Sequence, residues 1–168
     1  MEQNKNIDVE TFVTEQVIKE KCEAIQKMLG WELIFTSYGH EDNPNYGYYD
    51  FHRNKDEKKK EYDYDSGGDS WSWNKDDVLP FDTNYKFLYQ AIDFIESEGY
   101  DFILKPVKNG FSGQIIFNYL TPKSTATVCQ HTLFFKENEN RDTLRKRVMF
   151  EVISTYANIY NRENENNK

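Results

Sequence analysis

The chain has 168 residues, a formal net charge of −8, 38% hydrophobic residues and 16% aromatic residues. This length suits one domain, and its apolar runs are too short to cross a bilayer. A pI near 5.0 argues against a protein that coats nucleic acid. Two distant cysteines indicate buried reduced thiols in a cytoplasmic protein, and the polar N-terminus predicts no signal peptide.

The first half of the chain predicts one helix and three strands. The helix has Asp8 as its N-cap and Gly30 just past its end. Its apolar residues recur at helical spacing, namely Val9, Phe12, Val13, Val17, Ile18, Ala24, Ile25, Met28 and Leu29. Alternation then predicts strands over residues 31–36 and 46–53. A charged hairpin tip, residues 54–60, leads to a predicted edge strand over residues 61–65.

The second half predicts a helix, three strands and a final helix. The first of these helices is capped by Asp82 or Thr83 and stops at Gly99. Its predicted buried stripe is Phe87, Leu88, Ala91, Ile92 and Ile95. Strands are predicted over residues 100–105, 113–120 and 125–136, with residues 110–113 interpreted as a hairpin turn. The closing helix is expected from Arg141 to Tyr160.

The predicted order α-β-β-β-α-β-β-β-α defines the expected fold class, α/β of the α+β type. Gaps of hairpin length make neighbouring strands antiparallel, because a parallel pair would need a long crossover. We therefore expect one single-domain α-β-α sandwich over residues 1–161, built on one largely antiparallel sheet. A disordered polar tail is expected over residues 162–168.

A family resemblance rests on several short segments. The first helix ends in Leu-Gly-Trp at residues 29–31, and Trp-Ser-Trp at 71–73 precedes Leu-Pro-Phe at 79–81. The last helix closes on Ile-Tyr-Asn at 159–161. In these features the chain resembles the phage ABA-sandwich proteins of Bacteroidetes phages and mobile elements. The resemblance implies a three-layer α-β-α arrangement and supplies no catalytic residues.

Metal and catalytic motifs give no strong signal. Asp63, Asp65 and Asp69 alternate loosely as in a calcium loop, but position twelve of that loop is Asn74 rather than an acid. Cys129 and the three histidines lack the spacing of a structural zinc site. No nucleophile motif or phosphate-binding glycine loop is present in the sequence. We expect no enzymatic activity, no cofactor and no metal.

A basic patch opens the last predicted helix, formed by Arg141, Arg145, Lys146 and Arg147. Cations at a helix N-terminus oppose the helix dipole, so a compensating partner is expected. The favoured partner is an acidic face of the same chain, with Glu137 and Glu139 just upstream. The alternative is contact with RNA or with an acidic protein.

The acidic residues concentrate between residues 61 and 101, where eleven carboxylates face two lysines. Aromatic residues are interleaved with them, which is typical of a recognition surface. The expected partner-binding surface comprises Glu61, Tyr62, Asp63, Tyr64, Asp65, Asp69, Trp71, Trp73, Asp76 and Asp77. The alternative interpretation is a solvated surface with both tryptophans buried in the core.

These patterns predict a protein that acts by binding. We expect a non-enzymatic phage or mobile-element protein that inhibits a host nucleic-acid-handling defence, an anti-CRISPR that acts on an RNA-guided nuclease in the bacterial cytoplasm. Its partner would be a protein with a basic surface, such as a CRISPR effector nuclease or its guide-RNA complex, and direct nucleic-acid binding is the less favoured reading. The alternative is a small-ligand or nucleotide-binding sponge that uses Trp71, Trp73 and the basic helix start.

Overall fold

Three helices and five strands form a mixed α+β fold in the computed structural model, which describes residues 9–37, 47–53, 74–118 and 125–166. The helices are α1 (Val9–Met28), α2 (Tyr85–Ser97) and α3 (Arg141–Asn166). The strands are β1 (Trp31–Ser37), β2 (Gly47–Arg53), β3 (Tyr100–Val107), β4 (Gly110–Asn118) and β5 (Thr125–Phe134). The α+β class and the antiparallel pairing are confirmed. The strand predicted over residues 61–65 and the N-cap Asp8 lie outside the described residues.

In the described residues the strands form two antiparallel sheets, where the sequence predicted one. β1 pairs with β2, while β3, β4 and β5 form a separate sheet in that order. Gaps of hairpin length fix which strands pair within each group, but they say nothing about pairing between groups. The β1–β2 hairpin contacts α1 instead, and Trp31 and Phe51 contribute buried rings to the core.

The turn between β3 and β4 begins two residues before the segment 110–113 that was interpreted as a hairpin turn, and it includes Asn109. Val107 pairs with Gly110, so the turn consists of Lys108 and Asn109. Asn109 has a φ of 60°, which asparagine tolerates better than most residues. The segment 110–113 was interpreted as a turn because of its two glycines, and that interpretation is wrong. These residues belong to β4, where the sheet is crowded enough to require glycine.

Helix α2 begins at Tyr85 with Asn84 as its N-cap, where Asp82 or Thr83 was predicted. The Asn84 Oδ1 atom accepts a hydrogen bond from the Lys86 amide at 2.9 Å. Asp82 and Thr83 lie instead in the turn that follows Pro80, whose carbonyl accepts from the amides of Thr83 and Asn84. The stop at Gly99, with a φ of 88°, is confirmed. The buried stripe also matches the prediction in full.

Helix α3 occupies the centre of the molecule. It contacts the β4–β5 part of the larger sheet, α2 and α1. The His131 ring is half-buried and lies 2.8 Å from the Thr155 hydroxyl. On the α1 side, Asn161 donates to the Ala24 carbonyl at 2.9 Å and Lys21 pairs with Glu151 at 2.6 Å. Both cysteines are free and buried.

The end of α3 differs from the prediction. The helix was expected to close at Tyr160 and continues to Asn166, so residues 162–166 are helical and do not form a disordered tail. The segment was predicted to be disordered because of its polar composition, but two contacts stabilise it as a helix. Asn164 donates to the Tyr160 carbonyl, and Glu165 forms an ion pair with Lys27 of α1.

Candidate functional site

Most of the expected partner-binding surface lies outside the described residues. This applies to eight of its ten members, the residues from Glu61 to Trp73 named above. The structure describes the other two, Asp76 and Asp77, in the segment that leads to α2. It also describes all four members of the basic patch. The described part of the candidate site therefore consists of the C-terminal end of the acidic region and the start of α3.

Asp76, Asp77 and Asp82 line an open cleft of about 600 Å³ between α1 and the segment 74–82. Glu15 of α1 contributes a fourth carboxylate, which the sequence analysis did not include, and Lys19 is the one cation that the described residues add to the lining. Ile18, Val78 and Pro80 add apolar surface. The cleft is thus an acidic groove with apolar walls, and we call it the acidic cleft.

Two kinds of contact hold the segment 74–82 in place. Leu79 and Phe81 are fully buried and anchor it in the core. Asp77 accepts a hydrogen bond from the Asn74 amide at 2.6 Å, which closes a local turn. The Leu79 amide donates to Gln26 of α1 at 3.4 Å. These contacts present Asp76 and Asp82 to the cleft from a fixed backbone.

Cys22 also lines the acidic cleft, and its thiol is not set up as a nucleophile. Burial, with Asp82 nearby as a second cause, raises the pKa of Cys22 to about 11. A thiol with such a pKa stays protonated near neutral pH, whereas the thiolate is the reactive form. Burial likewise raises the pKa of Cys129 to about 11. Neither residue has the depressed pKa of a catalytic cysteine.

Four of the described carboxylates of the acidic region lie outside the lining of the acidic cleft. Asp93 and Glu96 lie on α2, Glu98 caps its end and Asp101 lies on β3. None of the four lines the acidic cleft. The charge of −9 counted over the region therefore cannot be assigned to the acidic cleft alone.

The basic patch is neutralised in part. Arg147 pairs with Glu139 at 2.5 Å, which confirms Glu139 as a compensating partner, and Lys146 pairs with Asp142 at 3.4 Å. Arg141 and Arg145 instead lie over the Phe111 ring, at 5.3 and 5.7 Å from its centroid. Within the described ranges these two guanidinium groups have no ion-pair partner.

Glu139 gives the protein an acid-sensitive contact. Burial alone would raise the pKa of Glu139, but the Lys136 amide and the Arg147 guanidinium outweigh it and lower that pKa below 4.5. A lowered folded-state pKa stabilises the protein above the unfolded value, and this stability is lost as pH falls through the folded pKa. We predict that Glu139→Gln lowers the free energy of unfolding near neutral pH by about 1–2 kcal/mol.

Thermal unfolding across a pH series checks this prediction. The difference in stability between Glu139→Gln and the wild type should narrow as the pH falls from the ordinary range of a glutamate through the lowered folded-state pKa of Glu139, where the native carboxylate becomes protonated. Glu137→Gln is the matched control, since Glu137 is exposed two residues away. A difference in stability between Glu139→Gln and the wild type that stays constant down to acidic pH would show that the ion pair does not stabilise the fold.

A second cleft, which the sequence analysis missed, lies between α2, β3 and the start of α3. Its volume is about 360 Å³, and its lining includes Tyr85 and Tyr89 of α2 together with Arg145 of α3. The Tyr85 hydroxyl donates to Asp142 at 2.8 Å. Burial and this carboxylate raise the pKa of Tyr85 to about 12, so Tyr85 remains a neutral donor. We call this the tyrosine–arginine cleft.

One feature of the sequence indicates part of this second cleft. Tyr85 and Tyr89 lie four residues apart, so they share one face of α2. Their rings are stacked with centroids 5.8 Å apart. The sequence could not show that α3 places its cations on the same side, because that placement depends on how the two helices meet.

In the part of the chain that the structure describes, no group of three or more His, Cys, Asp or Glu side chains is arranged to hold a metal ion. The calcium-like string at residues 63–69 lies outside that part. None of the helices that the structure describes is both long enough and apolar enough to span a bilayer.

Comparisons with known proteins give no match: no family model fits the chain, and neither the curated proteins nor the solved structures yield a significant similarity. The phage ABA-sandwich resemblance therefore stays a prediction. The two clefts and their chemistry are the basis on which a function can be proposed.

Proposed function

We propose that the protein is a non-enzymatic phage or mobile-element protein that binds and inhibits a host defence protein which handles nucleic acid. The proposed class is an anti-CRISPR, and the proposed target is an RNA-guided nuclease in the host cytoplasm. One observation carries the proposal: carboxylates from two separate parts of the chain line the acidic cleft together with apolar side chains. Charge and apolar contact are what a basic protein groove would require of an inhibitor.

The electrostatic step of the proposal follows from the charges in the cleft. Among the residues that the structure describes, four carboxylates and a single ammonium group line it. A local field of this sign accelerates encounter with a cationic surface and repels nucleic acid phosphates. A nuclease groove that holds guide or target strands is cationic for the same reason. An acidic protein that occupies such a groove would exclude the nucleic acid.

The apolar step concerns residence time. Ile18, Val78 and Pro80 give the cleft surface that gains free energy when water leaves it. Surface charges act mainly on the association rate, whereas buried apolar contacts lower the dissociation rate. An inhibitor that must outlast a cleavage cycle needs both contributions.

The experiment uses guide-loaded RNA-guided DNA and RNA nucleases in cleavage assays with the full chain. We predict that the wild type inhibits at least one nuclease and that Glu15→Lys, Asp76→Lys and Asp82→Lys combined weakens binding about tenfold to a hundredfold. Asp77 is left intact because it closes the local turn. Binding measured at increasing salt should weaken steeply for the wild type and less for this variant.

A matched control separates local charge from net charge. Asp93→Lys, Glu96→Lys and Glu137→Lys change the net charge equally, and these three exposed residues lie outside the acidic cleft. This control should inhibit like the wild type. Equal loss in both variants would point to non-specific electrostatics, and an absence of inhibition across the nuclease panel would contradict the proposed class.

A further inference from the structure

The tyrosine–arginine cleft has the dimensions and lining of a small-ligand site. Its volume of about 360 Å³ lies at the lower end of the usual range for such sites, roughly 300–1,000 Å³. Ile92, Phe102, Leu104 and Met149 form apolar walls. A few polar groups stand among them, which is the combination that fixes the orientation of a ligand.

The cleft offers an aromatic platform. Lys146 lies 4.7 Å from the Tyr85 ring centroid, and the Tyr89 ring is stacked on Tyr85. The Lys146 ammonium and Asp142 therefore hold Tyr85 in place, while Tyr89 remains 55% exposed. A planar ligand ring can stack on Tyr89, because an exposed aromatic face beside an apolar wall gains from such contact.

The cleft has one arginine in its lining and a second arginine close by on the same helix. Arg145 belongs to its lining, and Arg141 lies one helical turn earlier on α3. Both guanidinium carbons lie over the Phe111 ring, which offers no hydrogen-bond acceptor to their N–H groups. Neither arginine donates a hydrogen bond to another residue in the described portion of the chain. Two such forks match the oxygens of a phosphate group.

Asp142 supplies an acceptor within the same cleft. Its Oδ1 atom accepts from the Tyr85 hydroxyl and its Oδ2 atom lies 3.4 Å from Lys146. The hydrogen bond from Tyr85 and the nearby Lys146 lower the pKa of Asp142, so the carboxylate remains ionised near neutral pH. Each carboxylate oxygen can accept a further hydrogen bond. A ligand that carries hydroxyl or amino donors satisfies this group, whereas a plain aromatic acid does not.

We propose that the tyrosine–arginine cleft binds a free nucleoside 5′-monophosphate. The base would stack on Tyr89, the phosphate would accept from Arg145 and Arg141, and ribose or base donors would bind Asp142. A free mononucleotide fits better than a strand, because the formal net charge of −8 opposes a polyanion that extends past the cleft. Among the described residues this site shares no lining residue with the acidic cleft, so the two proposals can be tested separately.

Isothermal titration calorimetry with the four common ribonucleoside 5′-monophosphates tests the proposal. At least one should bind with a dissociation constant below about 1 mM. Tyr89→Ala and Arg145→Gln should each weaken that binding about tenfold. Tyr89→Phe keeps the stacking ring and should bind like the wild type. Arg162→Gln, an exposed change at the far end of α3, is the matched control for Arg145.

Three outcomes would overturn the proposal. One is the absence of binding for all four nucleotides at millimolar concentration. Another is equal affinity for the unphosphorylated nucleoside, since the arginines would then play no part. The third is tighter binding of a 5′-phosphorylated oligonucleotide than of the monophosphate, which would assign the cleft to strand ends. Thermal unfolding of each variant confirms that the fold is retained.

Discussion

Replacing Gly113 by valine should lower the free energy of unfolding by about 3 kcal/mol, at the upper end of the range for overpacked cores. Gly113 lies in β4 where α3 crosses the larger sheet. A Cβ atom at this position would come within 2.8 Å of Val152 Cγ2 and 2.9 Å of Val148 Cγ1. Real Cβ contacts of this length essentially never occur, so the helix or the sheet must shift.

Two effects of the substitution favour folding, but each is smaller than the expected steric cost. Replacement of glycine restricts the unfolded chain, which favours folding by about 0.4–1 kcal/mol. Valine also favours strands, on a scale that spans about 1 kcal/mol. Because Val148 and Val152 are fully buried, they have no free space into which to move. The steric cost should therefore determine the sign.

Urea denaturation followed by circular dichroism measures the effect. Gly113→Ala should destabilise the protein less than Gly113→Val, because it adds only the first carbon. Combining Gly113→Ala with Val152→Ala removes one clashing methyl group, and the double variant should be more stable than the sum of the two single changes predicts. Additive losses would indicate that the crowding between β4 and α3 does not restrict this position.

The sequence predicted the parts of the fold that local patterns control. The stripe from Phe87 to Ile95 follows helical periodicity, and the glycine stops at Gly30 and Gly99 follow from the positive φ they adopt, 71° and 88°. Asn84 was missed as a cap because Asp82 and Thr83 offer the same chemistry two and one residues earlier. The choice among them depends on the turn after Pro80, which burial of Phe81 fixes.

The functional surfaces were less predictable, because they depend on contacts between distant segments. Glu15 and Asp82 line one cleft only because α1 lies beside the segment 74–82. Arg145 and Tyr89 line a second cleft only because α2 and α3 pack against each other and against the larger sheet. A count of charges along the chain identifies which residues are unusual. It cannot assign them to a common site: Asp76 lines the acidic cleft, whereas Asp93 does not.

Phe81→Ala should have the largest effect on stability, about 3–5 kcal/mol. The Phe81 side chain is 0% exposed and its ring centroid lies 5.6 Å from that of Phe87. Its removal leaves a cavity where the segment 74–82 meets α2. At roughly 2–4 °C per kcal/mol for a protein of this size, the melting temperature should fall by about 10 °C.

The same change tests how the acidic cleft is built. Phe135→Ala is the matched control, because that ring is 44% exposed and its loss should change stability by no more than about 0.5 kcal/mol. If Phe81 anchors the cleft, Phe81→Ala should also weaken binding of the proposed basic partner at temperatures where the protein is still folded. The reason is that Asp76 and Asp82 depend on this segment for their placement. Loss of stability with unchanged binding would show that the carboxylates act as a diffuse charge, independent of the backbone that carries them.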